Sequence, residues 1–170
     1  MGLSGESVVM RIVGERPWVL YVLLAVLDLG SGEFTARDIA EALGLRSYVV
    51  QRALWWLKKY GFVVEVPGTN PRRYRAKSVE DPRLGDLRSA RWVCGNTTVV
   101  RVGGLYVAFI NRGDNVVTRV VREGVVECVK KLCAEGRGLD ASIVARECGC
   151  GVQEAVAAMR VVNTLMCRER

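Results

Sequence analysis

Thr35-Ala-Arg-Asp-Ile-Ala-Glu-Ala-Leu-Gly-Leu45, followed by Arg46-Ser-Tyr-Val-Val-Gln-Arg-Ala-Leu54, decides the fold. Thr35 and Asp38 stand at capping-box spacing, with Asp in place of the usual Glu, so a helix starts there. Ile39, Ala40 and Leu43 form its inner face, and Gly44 ends it. Leu45 and Arg46 make a turn. Ser47 is expected to cap a third helix running to about Tyr60, with Val50, Ala53, Leu54 and Leu57 buried. Gly61 stops that helix.

Upstream, Pro17 opens a helix at a position where its missing N–H does no harm. Trp18, Leu20, Tyr21, Leu23, Leu24 and Leu27 give it a broad apolar face, and Gly30 and Gly32 stop it. Downstream, Phe62-Val-Val-Glu-Val66 and Arg72-Arg-Tyr-Arg-Ala-Lys77 flank Pro67-Gly-Thr-Asn-Pro71, a strand–turn–strand pattern. Three helices and a hairpin in this order make a winged helix-turn-helix over residues 17–77.

The run Thr35 to Leu45, then Val50-Gln-Arg-Ala-Leu54, Leu57 and Tyr60-Gly-Phe-Val63, resembles winged-helix regulators of the MarR and ArsR type. The resemblance covers roughly the first 77 residues. It implies a third helix in the major groove of double-stranded DNA and a wing against the backbone or minor groove. The residue chemistry agrees. Ser47, Tyr48, Gln51 and Arg52 lie on the face away from Val50 and Leu54, where Gln suits adenine and Arg suits guanine. Arg46 and Ser47 sit where a phosphate contact is natural. Arg72, Arg73, Arg75 and Lys77 crowd the wing, and the last three share one face of a strand. The alternative is a solvated basic surface, or a winged helix used on protein or RNA. Trp55 and Trp56 are adjacent on the third helix and cannot both face one core, so one is expected to pack elsewhere.

A shift of 105 residues lays a degenerate second copy over the C-terminal half. Leu20, Leu23, Leu24 and Leu27 fall on Val125, Cys128, Val129 and Leu132. Ile39 to Gly44 falls on Val144 to Gly149, and Val50, Leu54 and Leu57 fall on Ala155, Met159 and Val162. One helix is expected over Val116–Glu135 and another over Gln153–Cys167. No wing follows, and no basic residue precedes Arg160 in the last helix. This half is therefore expected to bind a protein partner or dimerise. Chance matching of two helical hairpins is the competing reading.

Six cysteines carry no Cys-x2-Cys knuckle, and the chain has no His, so no metal site is expected. Cys128 and Cys148 fall on core positions of the repeat, as core thiols or as a disulfide between two packed helices. Cytosolic disulfides are a habit of hyperthermophiles, which the charged, Gln-poor composition also hints at.

The middle segment has a charged connection from Arg83 to Arg91, a strand start at Trp92, and two β-rich runs joined by Gly103-Gly104. The expected fold class is α+β, mainly α, divided at 1–82, 83–115 and 116–170: winged domain, linker with β-hairpin, and wingless helix-turn-helix.

A net charge of +7 suits a polyanionic partner. The most apolar run, Trp18 to Leu27, is too short to span a bilayer, so a cytoplasmic chain with no membrane association is expected. No nucleophile elbow, P-loop or His-based triad is present, so the expectation is a binder without cofactor, not an enzyme. Three functions remain open. The first is a transcription regulator, dimeric because palindromic half-sites go with a two-fold axis. The second is a non-catalytic protein-binding component of a transcription, replication or genome-defence complex. The third is a DNA-processing enzyme using Asp81, Asp86 and Asp114, for which no spacing speaks.

Overall fold

In the computed structural model, which describes residues 7–167, a helix precedes the one at Pro17. Helix α1 spans Val8–Glu15 and buries Val9, Ile12 and Val13. Ser7 caps it, accepting from the Met10 N–H at 3.2 Å. Asp81 braces that cap from far along the chain. Its carboxylate accepts from the Ser7 hydroxyl at 2.6 Å and from the backbone N–H groups of Val9 and Arg83, each at 3.0 Å. Burial alone would raise the Asp81 pKa, but these hydrogen bonds prevail and hold it below the ordinary 3.8. A depressed folded-state pKa stabilises above the unfolded value and loses that contribution as pH falls through the folded value. Replacing Asp81 with Ala is expected to cost about 2 kcal/mol at neutral pH. The gap between parent and variant should narrow below about pH 4, as read by urea unfolding across pH.

The chain divides into two compact units. The first runs up to Arg88 and takes in Asn111–Val117, and the second holds Ser89–Ile110 and continues from Thr118. In the first, α2 (Pro17–Leu29), α3 (Ala36–Leu43) and α4 (Ser47–Tyr60) surround a core of Leu20, Leu23, Ile39, Val50, Leu54 and Leu57, none of which has exposed surface. Each such side chain is worth roughly 1.5–3 kcal/mol of burial. Thr35 and Asp38 form the reciprocal capping box of α3, with bonds of 3.2 and 2.8 Å. Strands β1 (Glu33–Thr35), β2 (Val63–Val66) and β3 (Arg73–Ala76) make an antiparallel sheet in the order β1-β3-β2. Phe34 and Tyr74 stack across it at 6.1 Å. A short helix, α5 (Leu84–Ser89), lies in the segment expected to be a charged connection.

Ser47 does not cap α4. It is the first helical residue, and Arg46 holds the cap position with extended backbone and no side-chain bond. The Arg46 carbonyl already accepts from the Val49 and Val50 N–H groups, so Ser47 lies one residue inside the helix.

In the second unit, β4 (Arg91–Cys94), β5 (Thr97–Val102), β6 (Leu105–Asn111) and β7 (Val116–Arg122) form a four-stranded sheet in sequence order. Gly103 and Gly104, with φ of +57° and +79°, make the tight turn between β5 and β6. The segment expected to begin one long helix at Val116 is a strand up to Arg122. Val116, Val117, Val120 and Val121 are β-branched and fit a pleated backbone better than a helix. Neither 82 nor 115 is therefore a boundary, and residues 83–115 are no linker: three strands of this segment build the second unit's sheet.

Helices α6 (Glu123–Ala134), α7 (Ala141–Cys148) and α8 (Val152–Met166) complete this unit. Val121, Val126, Val129, Val144, Ala155, Ala158 and Val161 are fully buried in its core, which also takes in Val99 and Ala108 from the sheet. Asp140 caps α7, accepting from the Ile143 N–H at 2.9 Å, and Gly149 ends it at φ +63°, as Gly44 ends α3 at +66°. Disulfides join Cys128 to Cys148 and Cys94 to Cys167, with Cα–Cα distances of 5.8 and 5.9 Å. Cys133 and Cys150 are free thiols.

Candidate nucleic-acid interface

Helix α4 exposes Arg46, Ser47, Tyr48, Gln51 and Arg52 along its first turns while Val49, Val50, Ala53 and Leu54 face the core. The period of the apolar residues alone dictates this split. Two of the five are partly engaged. The Arg52 guanidinium lies over the Trp18 ring at 5.7 Å. The Tyr48 hydroxyl donates to the Asp114 carbonyl at 3.1 Å, although the side chain is 53% exposed.

The wing presents Arg73 and Arg75 outward on either side of buried Tyr74, and Lys77 continues the exposed row just past the strand. The tip is held by Thr69, whose hydroxyl donates to the Val66 carbonyl at 3.1 Å and accepts from the Arg73 N–H at 2.9 Å. Glu33 is the cross-strand neighbour of Arg75, so the basic row is partly offset on its β1 side.

Between α4, the start of α3 and the wing lies a groove of about 870 Å³. Arg37, Gln51, Trp55, Lys58, Glu65 and Arg72 line it. Lys58 and Glu65 are residues that sequence reasoning missed, because no motif spacing joins a helix end to the following strand. Glu65 holds both neighbouring cations, with Lys58 Nζ at 3.2 Å and Arg72 Nε at 3.5 Å. Arg72 is thus ion-paired, whereas Arg73, Arg75 and Lys77 have no ion pair among the described residues. A phosphate entering the groove must compete with Glu65 for these two cations. Replacing Glu65 with Gln is expected to raise affinity for a random-sequence duplex several-fold and to steepen its salt dependence, measured by fluorescence anisotropy across salt.

The two tryptophans separate. Trp56 sits under the Arg16 guanidinium, 3.4 Å from ring centre, and Trp55 meets it edge-on at 4.7 Å while staying 52% exposed. Arg16 also donates to the Tyr60 hydroxyl at 3.2 Å, and that hydroxyl donates to Glu15 at 2.6 Å. The Tyr60 hydrogen bond, joined by Arg11 and Arg16, lowers the Glu15 pKa against its slight burial. This cluster pins the far end of α4 to α1 and α2.

A segment distant in sequence reaches the near end. The Arg46 N–H donates to the Gly113 carbonyl at 2.8 Å. Asn111 donates its amide to the Leu43 carbonyl and to the Tyr21 hydroxyl, and its side-chain oxygen accepts from the Gly113 N–H at 2.8 Å. No local signal marks these contacts in the sequence.

The elements and the exposed first turns of α4 define a winged helix-turn-helix. Residues 20–80 match the family model described as sugar-specific transcriptional regulator TrmB, over a little more than a third of the chain. That family differs by name from the MarR and ArsR type whose pattern the residues resemble. No curated protein and no solved structure matches the chain. Among the described residues, no group of His, Cys, Asp or Glu could hold a metal ion, and no helix is long and apolar enough to cross a membrane.

Proposed function

We infer that the chain is a transcription regulator of the winged-helix class that binds double-stranded DNA in a sequence-directed way. Helix α4 enters the major groove, with Ser47, Gln51 and Arg52 toward base edges and Arg46 at a phosphate. Arg73, Arg75 and Lys77 of the wing lie on the sugar–phosphate backbone. The observation that carries this reading is the exposure of Gln51 one turn inside α4, beside an outward basic wing, on the segment that matches a regulator family.

The second unit is the interaction half, a degenerate helix-turn-helix that joins two copies or engages a protein partner. Helix α8 supports this, because Val152 and Val156 are 55% and 51% exposed where a DNA-reading helix would carry polar residues. The chain works as a homodimer, without cofactor or catalysis, in the cytoplasm.

Duplexes selected from a random pool by the parent and by the Gln51→Ala and Arg52→Ala variants test the reading. Each variant should relax the preference at one or two base positions, at roughly 1–3 kcal/mol of lost discrimination. Unchanged preferences in both variants would remove α4 from the groove.

A further inference from the structure

The turn between β6 and β7 is far in sequence from the helix-turn-helix, yet Asn111–Val117 belongs to the first unit. It meets the interface at its most sensitive place. The N-terminal residues of a recognition helix reach the base edges, so a small rotation there moves every reading side chain. The turn holds that end at several points. The Gly113 carbonyl accepts from the Arg46 N–H at the α4 cap, where no side-chain cap bond exists. The Asp114 carbonyl accepts from the Tyr48 hydroxyl. Gly113 neighbours the connection between α3 and α4: an added Cβ would be in ordinary van der Waals contact with the Gly44 carbonyl oxygen at 3.9 Å, so space does not demand glycine. Its φ of +83° is what favours glycine there.

Asn111 organises this contact. One side chain joins α2 through Tyr21, the last residue of α3 through Leu43, and the turn through the Gly113 N–H. We propose that Asn111 is a positioning residue for DNA readout: it sets the N-terminal end of α4 without touching DNA, and so determines specificity more than affinity. The proposal rests on the reading of α4 as the recognition helix.

The full chain carrying Asn111→Ala is compared with the parent on a pool-selected duplex and on a random-sequence duplex. Affinity for the selected duplex should fall about tenfold, the effect of one or two lost hydrogen bonds. Random-duplex affinity and its salt slope should stay within twofold, since no phosphate contact is removed. The Arg46 amide, followed by hydrogen exchange without DNA, should lose protection in the variant. Equal loss on both duplexes, an unchanged ratio, or retained Arg46 protection would each overturn the proposal. If Asn111→Ala does not fold, Asn111→Ser serves, because it keeps a small polar side chain at the turn while losing the amide bonds to Leu43 and Tyr21. It should lower the selected-to-random ratio a few-fold, and an unchanged ratio overturns the proposal. A parent that prefers no sequence defeats the DNA-reading function itself, whereas a selective parent with an equally selective Asn111→Ala defeats only the role of Asn111.

Discussion

Replacing Arg73 and Arg75 together with Ala is expected to weaken binding to every duplex by roughly thirtyfold at physiological salt, and to flatten the log–log salt slope by about 1.8. The reasoning is electrostatic. Both side chains point outward from β3 on either side of buried Tyr74, and neither is ion-paired among the described residues. Each phosphate that they neutralise releases condensed counterions, which sets the size of the slope change. Tyr74 and the β1-β3-β2 pairing hold the wing together without them, so the melting temperature should stay within a few degrees. The same change at Arg72 should do less, because Glu65 already occupies its guanidinium. A double variant that keeps both the affinity and the slope of the parent would take the wing off the DNA.

Reduction of the disulfides carries the second large effect. The Cys128–Cys148 bond closes a sequence separation of 20 and the Cys94–Cys167 bond one of 73. In the chain-entropy account these loops are worth about 3 and about 4 kcal/mol. The first lies within the second, so their sum is an upper bound. Either is a large share of a stability that is typically 5–15 kcal/mol. The Cys94–Cys167 bond ties β4 to the residue after α8, and the Cys128–Cys148 bond ties α6 to α7. Replacing Cys94 and Cys167 with Ser should lower the melting temperature by on the order of 10 °C. Adding a thiol reductant to the parent should lower it at least as far. Thermal unfolding with and without reductant checks this, and a melting temperature indifferent to reductant would mean that the bonds add nothing. Cys133 and Cys150 are not paired and should be alkylated without that cost.

The parts of the fold legible in the sequence are those set by neighbours along the chain. The Thr35–Asp38 capping box, the stop at Gly44 and the Gly103-Gly104 turn each depend on a few consecutive residues, and each stands where its spacing puts it. Helix α1 was legible in principle: Ser7 precedes Val9, Ile12 and Val13 at helical spacing, but the apolar run beginning at Trp18 dominates that region. Strand β7 was only weakly legible: its four valines favour a pleated backbone, but the helical spacing that begins at Val125 invites the helix to be extended back over them. Only β6 beside it decides the matter. The Ser47 cap failed by one residue, since Arg46 takes the extended conformation and Ser47 enters the helix.

The candidate interface divides in the same way. Gln51, Arg73, Arg75 and Lys77 follow from local period and charge. Glu65 holding both Lys58 and Arg72 requires the hairpin to fold back on α4, and Asn111 reaches Leu43 across a separation of 68 residues. Such pairings arise from tertiary structure, and a single chain read along its length does not contain them. The Cys94–Cys167 bond, between two cysteines with no neighbouring partner, belongs with them.

The measurement closest to the central claim is selection of bound duplexes from a random pool by the full chain, followed by affinity against salt for the recovered sequence and for bulk DNA. Enrichment of a defined motif is expected, bound at least a thousandfold more tightly than bulk DNA, with a steep fall in affinity as salt rises. A pool recovered without enrichment, or binding that ignores salt, would contradict the placement of α4 and the basic wing on DNA.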